Sequence, residues 1–372
     1  MLRRILAITR KEIIHIIRDP RSLSIMFMMP VIQLILLGYT ATTDVEHLST
    51  AVLEQDQSLQ SRELVDAYRA SNYFDVRFYV SSEGELGRLI DAGEAKAGII
   101  IPAGYGRDLT GDHEASIAFV IDGSIPSVAA TAFSAAQTVA QAQSMVLIER
   151  LYGIDVEQQA GIDVRPRVWY NPDMKSANFM IPGLIAMILQ IQSTLFTALS
   201  IAREKEEGTI EQLIVTPLKS IELIVGKVMP YVAVSLFNLV EVLIIGVLWF
   251  GIPIQGSVLL LLALGVLALL SSLGIGLLAS TIAHTQQEAI FLIFFLMLPF
   301  MFLSGFFFPL EAMPRMLQLI SYLIPLRYLL VIVRGIILKG AGLSILWEQV
   351  LALLLFASAT LALAASRFRK RL

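Results

Sequence analysis

The chain has 372 residues, of which 56% are hydrophobic and only 16% are charged, and its mean hydropathy is +0.72. Soluble domains carry about 25% charged residues, so this composition is that of a membrane protein, and the net charge of −3 gives no reason to expect a nucleic-acid partner. The absence of cysteine excludes a disulfide framework, thiol nucleophiles and cysteine-ligated metals, and the four histidines show no metal-ligand spacing, so no metal site is expected.

Residues 1–20 predict an amphipathic helix that lies in the membrane interface. At helical spacing, one side of this helix is basic and the opposite side is apolar. The basic stripe consists of Arg4, Lys11, His15 and Arg18, and the apolar stripe consists of Leu2, Leu6, Ile13 and Ile17. Glu12 and the apolar span that follows at once disfavour the alternative of a mitochondrial transit peptide. Asp19-Pro20 should break the helix.

Residues 21–41 predict the first transmembrane helix, because Leu23–Tyr39 is apolar apart from two polar residues. This run is slightly shorter than the ~20 residues that a bilayer core needs, a mismatch that tilt can absorb. Basic residues precede it: Arg3, Arg4, Lys11, Arg18 and Arg21. By the positive-inside rule, the amino terminus is therefore expected in the cytoplasm.

Residues 42–172 predict one α/β domain inserted between transmembrane helices 1 and 2, because charges return and β-like runs alternate with helical ones. The predicted strands are Thr50–Leu53, Val76–Val80, Ala97–Ile101, Ile117–Ile121 and Arg167–Tyr170. The predicted helices are Leu59–Ala70, Glu83–Asp91 and a stretch from about Ser127 to Tyr152. The domain follows a span that leaves the cytoplasm, so it is expected to be extracytoplasmic.

A charged island near 203–220 separates two long apolar runs. Gly208 suits the carboxyl end of a helix, because a residue without Cβ can adopt the left-handed conformation. Thr209 followed three residues later by Gln212 fits a capping box, so a short helix should begin there, and Thr216-Pro217 should end it. The island is thus predicted to be a short helix across the ends of two spans; the alternative is a solvated loop.

Residues 173–372 predict five further transmembrane helices: Phe179–Ile201, Leu223–Phe250, Ser257–Ile282, Glu288–Ser304 and Leu343–Ala365. With the first span the total is six, so both termini are expected on one side of the membrane. The basic tail at 367–371 agrees with a cytoplasmic location of both. In the fourth span, Ser272, Gly276 and Ser280 are spaced to permit close helix packing.

Asn238 and Glu241 lie one turn apart within the third predicted span, far from either end. A carboxyl group at this depth costs about 2.5 kcal/mol or more unless it is protonated, paired or hydrated. One interpretation is a polar patch that faces the path of a cationic or amphiphilic substrate. The other is a hydrogen bond between helices with Glu241 protonated, and the sequence does not decide between them.

Residues 305–326 predict a re-entrant segment before the last transmembrane helix. The segment is apolar but interrupted, and its marker residues are Gly305, Pro309, Glu311, Pro314 and Pro325. Irregular backbone at membrane depth is tolerated only where protein or water satisfies its polar groups, so a half-entering hairpin on the outer side is expected. The predicted fold is therefore all-α in the membrane, with six transmembrane helices, an interfacial helix and this hairpin.

Two motifs resemble type 2 ABC transporter permeases, in particular the bacterial multidrug-exporter branch with a large extracytoplasmic domain. The first is E-K-E-E-G-T-I-E-Q-L-x-V-T-P-L at residues 204–218, and the second is S-G-F-F-F-P-L-E-A-M-P at residues 304–314. With the order of the spans, the resemblance covers essentially the whole chain. It implies that the island is a coupling helix that docks on a separate cytosolic ATPase. The residues implied in this coupling are Arg203, Glu204, Glu207, Gly208, Thr209, Glu211, Gln212, Leu213, Thr216 and Pro217.

The resemblance further implies the membrane half of an exporter driven by ATP, in which two permease subunits, identical or paralogous, each bind one ATPase subunit. Such proteins move drugs, lipids or polysaccharides, and this branch works with periplasmic adaptor proteins. ATP and Mg²⁺ are expected on the ATPase, since the only Gly-Lys pair, Gly226-Lys227, lacks the other residues of a Walker A loop. No catalytic residue is expected in this chain.

Two other functions remain open from the sequence. An ion-coupled secondary transporter would use Glu241 as its proton site and would need no ATPase. A membrane-anchored sensor or assembly protein would bind its ligand with the extracytoplasmic domain, although five spans beyond the anchor are more than tethering requires. Membrane lipid is a partner in every case.

Overall fold

The computed structural model describes residues 2–41, 47–110, 115–124, 126–152, 169–172, 175–208 and 220–369. The chain forms two compact units. The helical unit comprises Met1–Thr43 and Arg167–Leu372, and the α/β unit comprises Asp44–Pro166. This division follows from the sequence, because a polar segment of mixed periodicity interrupts the apolar spans.

The helical unit begins with α1 (Leu2–Arg18) and α2 (Pro20–Ala41). The helix breaks at Asp19, as predicted, because proline is favoured in the first turn of a new helix, where its missing N–H costs nothing. The apolar stripe predicted on α1 is exposed, as an interfacial helix requires: Leu2, Leu6, Ile13 and Ile17. The helix also has a third face that was not predicted from the sequence. That face is buried and consists of Ile8, Glu12 and Ile16.

The α/β unit contains one four-stranded sheet with helices between its strands. Its elements are, in chain order, β1 (Leu48–Glu54), α3 (Leu59–Ala70), β2 (Phe74–Val80), α4 (Glu83–Asp91), β3 (Ala97–Ile101), α5 (Tyr105–Thr110), β4 (Ala118–Ile121) and α6 (Pro126–Tyr152). The strand order is β2-β1-β3-β4, with β1 parallel to both its neighbours and β4 antiparallel to β3. The first four predicted strands and all three predicted helices are confirmed, and α5 is an addition.

The fifth predicted strand, Arg167–Tyr170, is wrong in its described part. Trp169 and Tyr170 belong to no strand, and residues 167 and 168 lie outside the described ranges. Tyr170 has a φ of 69°, which is incompatible with extended backbone. Its ring lies 5.8 Å from Lys339 Nζ in the helical unit. Trp and Tyr are frequent both in strands and at the ends of membrane helices, which explains the error.

The second part of the helical unit is a series of helices: α7 (Ser176–Glu206), α8 (Ser220–Leu248), α9 (Val258–Ile282), α10 (Gln286–Leu303), α11 (Arg315–Ser321), α12 (Pro325–Lys339) and α13 (Leu343–Arg369). Within the described ranges, six helices are long and apolar enough to cross a membrane, namely α2, α7, α8, α9, α10 and α13. Each of the six predicted spans corresponds to one of these helices, in the predicted order, and the pair α11 and α12 would add a seventh if it formed one bent span. The consecutive helices α11 and α12 meet at an angle of 81°.

Helix α7 is the centre of the helical unit. Most of its length is buried, and it contacts α2, α8, α9, α10 and α12. Close packing on α9 depends on Gly276, where a Cβ would lie 2.4 Å from the Thr194 carbonyl oxygen. Thr194 Oγ1 also donates a hydrogen bond to the Ser272 carbonyl at 3.3 Å. The small-residue spacing predicted on α9 is thus confirmed as a packing face.

Candidate functional site

The carboxyl end of α7 carries four consecutive charged residues, from Arg203 to Glu206, that contact different parts of the helical unit. Successive side chains of an α-helix point about 100° apart, so four consecutive side chains point to all sides of the helix. We call this part of the helical unit the α1 end, defined by α1, the end of α7 and the beginning of α8. It adjoins residues 209–219, which contain most of the predicted coupling helix and lie outside the described ranges.

Glu204 is the centre of a buried ionic cluster. Its side chain accepts a hydrogen bond from Lys11 Nζ of α1 at 2.8 Å and pairs with Lys227 of α8. Glu12 Oε1 of α1 lies 3.7 Å from Lys11 Nζ and 3.8 Å from Lys227 Nζ. Glu12 and Lys227 are each 3% exposed and Glu204 is 5% exposed. Two carboxylates thus face two ammonium groups, which offsets the cost of removing these charges from water.

Lys11 and Arg4 both tie α1 to the neighbouring helices. Burial opposes the charged form of Lys11, but the hydrogen bond and the attraction from Glu204 outweigh it and raise the pKa of Lys11. Two helical turns earlier, Arg4 Nη1 lies 3.6 Å from the buried Glu222 Oε2 of α8. Helix α1 is therefore attached by charge pairs at two levels.

The backbones of α1 and α8 approach closely at Gly226. A Cβ at this position would lie 2.8 Å from Ile8 Cβ and 3.1 Å from the Ile5 carbonyl oxygen. The hydroxyl of Thr9 donates a hydrogen bond to the Gly226 carbonyl at 3.0 Å. That carbonyl lacks its usual helical donor, because Pro230 four residues later has no N–H. The Gly-Lys pair that forms no Walker A loop is therefore part of the docking site of α1.

Arg203 binds the junction between α1 and α2. Its Nη1 lies 3.3 Å from Asp19 Oδ2, and its Nε donates to Glu207 Oε1 at 2.9 Å. Asp19 also accepts hydrogen bonds from the Ser22 backbone N–H at 3.2 Å and the Ser22 hydroxyl at 2.6 Å. The hydrogen bonds from Ser22, and then those from Arg203, lower the pKa of Asp19. This carboxylate stays ionised and links α7 to the beginning of the first span.

Lys205 and Glu206 reach the connection between α9 and α10. Lys205 Nζ donates to three carbonyl oxygens at the end of α9, those of Ser280, Thr281 (3.3 Å) and Ala283 (3.0 Å). Carbonyls at a helix end lack helical partners and favour a cation. Glu206 Oε2 accepts hydrogen bonds from Gln286 at the beginning of α10, at 3.2 Å from its backbone N–H and 3.0 Å from its side chain.

The residues predicted to couple to an ATPase fall into three groups. Arg203 and Glu204 are engaged within the helical unit, whereas Glu207 and Gly208 are exposed. Gly208 follows Glu207, the C-cap residue of α7, and has a φ of 70°, so the predicted left-handed helix end is confirmed. The others lie outside the described ranges: Thr209, Glu211, Gln212, Leu213, Thr216 and Pro217. Docking by this segment stays a prediction.

Asn238 and Glu241, which the sequence places one turn apart, have different surroundings. Asn238 is buried, and its Nδ2 donates a hydrogen bond to the Met26 carbonyl of α2 at 3.1 Å. That carbonyl has also lost its helical donor, because Pro30 follows four residues later. Asn238 thus makes a hydrogen bond between helices. Glu241 is half-buried, and its Oε2 has no hydrogen-bond partner in the described part of the chain.

The segment predicted to be re-entrant is attached to α12 through Arg334. Gly305 has a φ of 87°, and its carbonyl accepts a hydrogen bond from Arg334 Nη1 at 3.1 Å. The Arg334 guanidinium carbon lies 3.7 Å from the centre of the Phe179 ring of α7. Glu311 is exposed. The prolines stand at element boundaries, with Pro309 before a 3₁₀ turn at Leu310–Ala312, Pro314 before α11 and Pro325 at the beginning of α12.

Comparisons with known proteins agree with this architecture. A family model described as ABC-2 family transporter protein matches residues 20–366. The chain is 33% identical over 371 residues to the probable multidrug ABC transporter permease YbhR of Escherichia coli K12, with 100% of both chains covered. It is 31% identical over 343 residues to the probable multidrug ABC transporter permease YbhS of the same strain, covering 91% of this chain and 89% of that one.

A third relative is the inner membrane transport permease YhhJ of Escherichia coli K12. The identity is 30% over 325 residues, which cover 86% of this chain and 84% of that one. The family predicted from the two motifs is confirmed, and six apolar helices together with these permeases indicate a multi-pass membrane protein. The chain belongs to the ABC-2 family of transporter proteins.

Proposed function

We propose that the chain is the transmembrane subunit of an exporter that moves drugs or other amphiphilic, lipid-like substrates out of the cytoplasm or the inner leaflet. A separate cytosolic ABC ATPase binds ATP and Mg²⁺ and powers alternating access. Two permease subunits, identical or paralogous, pack side by side and each binds one ATPase subunit. The names of the multidrug permeases YbhR and YbhS support this substrate class.

The proposed orientation places the α1 end and both termini in the cytoplasm. Basic residues concentrate on α1 and at 367–371, which the positive-inside rule assigns to that side. The α/β unit then lies outside, where it meets a periplasmic adaptor protein, and residues 305–326 enter the membrane from the outer side. Single cysteines test this order, since the chain has none of its own. Those at Ser61 and Asp108 should react with an impermeant maleimide in intact cells, and those at Ser220 and Lys370 only after permeabilisation.

The observation that supports coupling between the ATPase and the transmembrane helices is the ionic cluster at the α1 end. The segment 209–219 begins after the end of α7 and stops at the beginning of α8, and Glu204 and Lys227 fix both helices to α1. Breaking a buried ion pair by removing one partner costs about 3–5 kcal/mol. Allosteric coupling free energies are typically about 1–3 kcal/mol. A push on the coupling segment therefore moves α1, α7 and α8 together without breaking the cluster.

The remaining contacts of α7 pass this movement to the other helices. Arg203 holds the beginning of α2 through Asp19, and Lys205 holds the end of α9. Glu206 holds the beginning of α10 through Gln286. The displaced end of α7 thus acts on α2, α9 and α10 as well as on α1 and α8, as a switch between inward and outward access requires.

Two kinds of variant separate docking of the ATPase from transmission. Glu207→Lys with Leu213→Asp changes the predicted docking surface, so ATPase co-purification and export should be lost together, with expression and cysteine labelling unchanged. Lys227→Met leaves the carboxylates of Glu12 and Glu204 with one ammonium group, so it should retain the ATPase but lower export per ATP hydrolysed.

Arg315→Gln removes an exposed charge on α11 and is the control for both variants. If the double variant still co-purifies with its ATPase and exports at the normal rate, the segment near 203–220 is a solvated loop and the proposed coupling is wrong.

A second candidate function is ion-coupled transport through Glu241. It is favoured by the buried Oε2 atom, which has no hydrogen-bond partner within the described ranges. In this case Glu241→Gln should abolish transport, and export should stop when the proton gradient is dissipated but survive ATP depletion. If Glu241 only lines the path, the same change should alter substrate preference while ATP-driven export persists.

A further inference from the structure

The cations of α1 form two classes. Arg4 and Lys11 pair with carboxylates of α8 and α7, at 3.6 Å and 2.8 Å. Arg3, Arg10 and Arg18 are exposed and make no hydrogen bond or ion pair with any residue that the structure describes. The first class holds the helix in place, and the second is available to a partner outside the chain.

The three unpaired arginines lie side by side around the helix. At about 100° per residue, they fall within an arc of about 80°. The exposed apolar stripe lies directly next to this arc and spans about 60°; it consists of Leu2, Leu6, Ile13 and Ile17. The buried face, with Ile8, Glu12 and Ile16, follows on the far side of that stripe. The order around α1 is therefore protein contact, apolar stripe, free arginines and paired cations.

We propose that this outer face of α1 binds the headgroups of anionic phospholipids in the leaflet beside it. The apolar stripe inserts among the acyl chains, as interfacial helices do, which places the adjoining arginines at the depth of the phosphates. Guanidinium groups are weakly hydrated and bind phosphate with two parallel hydrogen bonds. An acidic surface of a soluble protein would complement the arginines but would leave the exposed leucines and isoleucines beside them uncovered.

The consequence of this binding follows from the attachment of α1. Its buried face is fixed to α8 at Gly226 and to α7 through Glu204, so the helix does not move on the membrane independently. Anionic lipids would therefore hold the α1 end at a set depth, and their content in the membrane would influence the stability of this end.

Lipid selectivity can be measured on the purified permease alone, so the test does not depend on the proposed ATPase. Ala7 is exposed and lies within the arginine arc, and the chain has no native cysteine. Ala7→Cys would carry an acceptor fluorophore, and vesicles would contain a trace of donor-labelled phosphatidylglycerol or donor-labelled phosphatidylcholine. Each arginine near an anionic surface contributes about a fivefold preference, so energy transfer from phosphatidylglycerol should clearly exceed that from phosphatidylcholine.

Charge variants identify the residues responsible. The triple change Arg3→Gln, Arg10→Gln and Arg18→Gln should bring the transfer ratio of the two lipids to about one, and the corresponding triple change to lysine should retain most of the preference. Arg4→Gln is the matched control on the same helix, and it should leave the ratio unchanged because Arg4 faces Glu222.

Equal transfer from both lipids in the native chain would overturn the proposal. A preference that survives in the glutamine triple variant would overturn it as well. If that variant instead loses ATPase co-purification with an unchanged lipid ratio, the arginines serve the ATPase and not the membrane.

Discussion

Replacing Thr9 by valine tests how helix α1 is attached. The hydroxyl of Thr9 is the donor found on the Gly226 carbonyl, at 3.0 Å, where Pro230 supplies no N–H. Valine keeps the shape of threonine but leaves this carbonyl without a partner. An unsatisfied buried polar group costs about 1–3 kcal/mol in soluble proteins, and hydrogen bonds between membrane helices average about 0.6 kcal/mol. We expect a loss of about 1 kcal/mol in the free energy of unfolding.

A double-mutant cycle isolates this contribution. Pro230→Ala restores a backbone N–H that can bond the Gly226 carbonyl within α8, so Thr9→Val should cost little in that background. Thermal unfolding of the purified permease in detergent, for the native chain, both single variants and the double variant, should give a coupling energy of about 1 kcal/mol. Thr138→Val is the control, because the Thr138 hydroxyl donates a hydrogen bond to the Ser134 carbonyl of its own helix, α6, at 2.9 Å.

The result that would refute this reasoning is an equal cost of Thr9→Val with and without Pro230. The hydrogen bond would then not compensate for the proline, and α1 would be held by the close packing at Gly226 and by the charge pairs alone.

Three further outcomes are expected, two from contacts of the α1 end and one from the α/β unit. Gly226→Val should push α1 away from α8 and cost about 1–3 kcal/mol in thermal unfolding, as overpacking does, and an unchanged melting temperature would contradict the close approach. Lys205→Met should cost up to about 2 kcal/mol in the same assay, because the carbonyls at the end of α9 lose their cation, whereas Lys205→Arg should retain most of the stability. Asp56 in the α/β unit has a pKa below its ordinary 3.8, because it accepts hydrogen bonds from Ser58 and then from the Gly106 N–H. The contribution of Asp56 to the free energy of unfolding is therefore complete above pH 3.8 and is lost as the pH falls through the lower pKa of the folded state. Asp56→Asn should abolish this acid dependence, measured as the pH dependence of limited proteolysis of the full chain.

The sequence predicted those features that depend on neighbouring residues. The spans were found because long apolar runs report directly on the membrane. Gly208 was recognised as a helix end because the left-handed conformation favours glycine. The close contact of α9 was anticipated because Ser272, Gly276 and Ser280 recur at one-turn spacing. Each of these signals lies within a single element.

Contacts between distant parts of the chain were missed. Lys11 and Glu204 are 193 residues apart, and neither was predicted to meet the other. A signal was present, since Lys227 interrupts an apolar run and Glu12 interrupts the apolar side of α1, but a lone charge does not identify its partner. The same holds for Pro30, which shows that a carbonyl of α2 is unbonded but not that Asn238 supplies the donor.

The charged island near 203–220 is not uniform, and its two parts should respond differently to substitution. Up to Glu206, each charged side chain is occupied by another part of the helical unit, so none is free to meet an ATPase. From Glu207 onward the described residues are exposed, and Glu207 is bonded to Arg203 of its own helix. Neutralising Glu204 or Lys205 should therefore lower the melting temperature while the folded fraction still binds the ATPase. Substitutions from Glu207 onward should leave the melting temperature unchanged but weaken binding of the ATPase. A loss of ATPase binding without loss of stability in Glu204→Gln would show that this residue belongs to the docking surface after all.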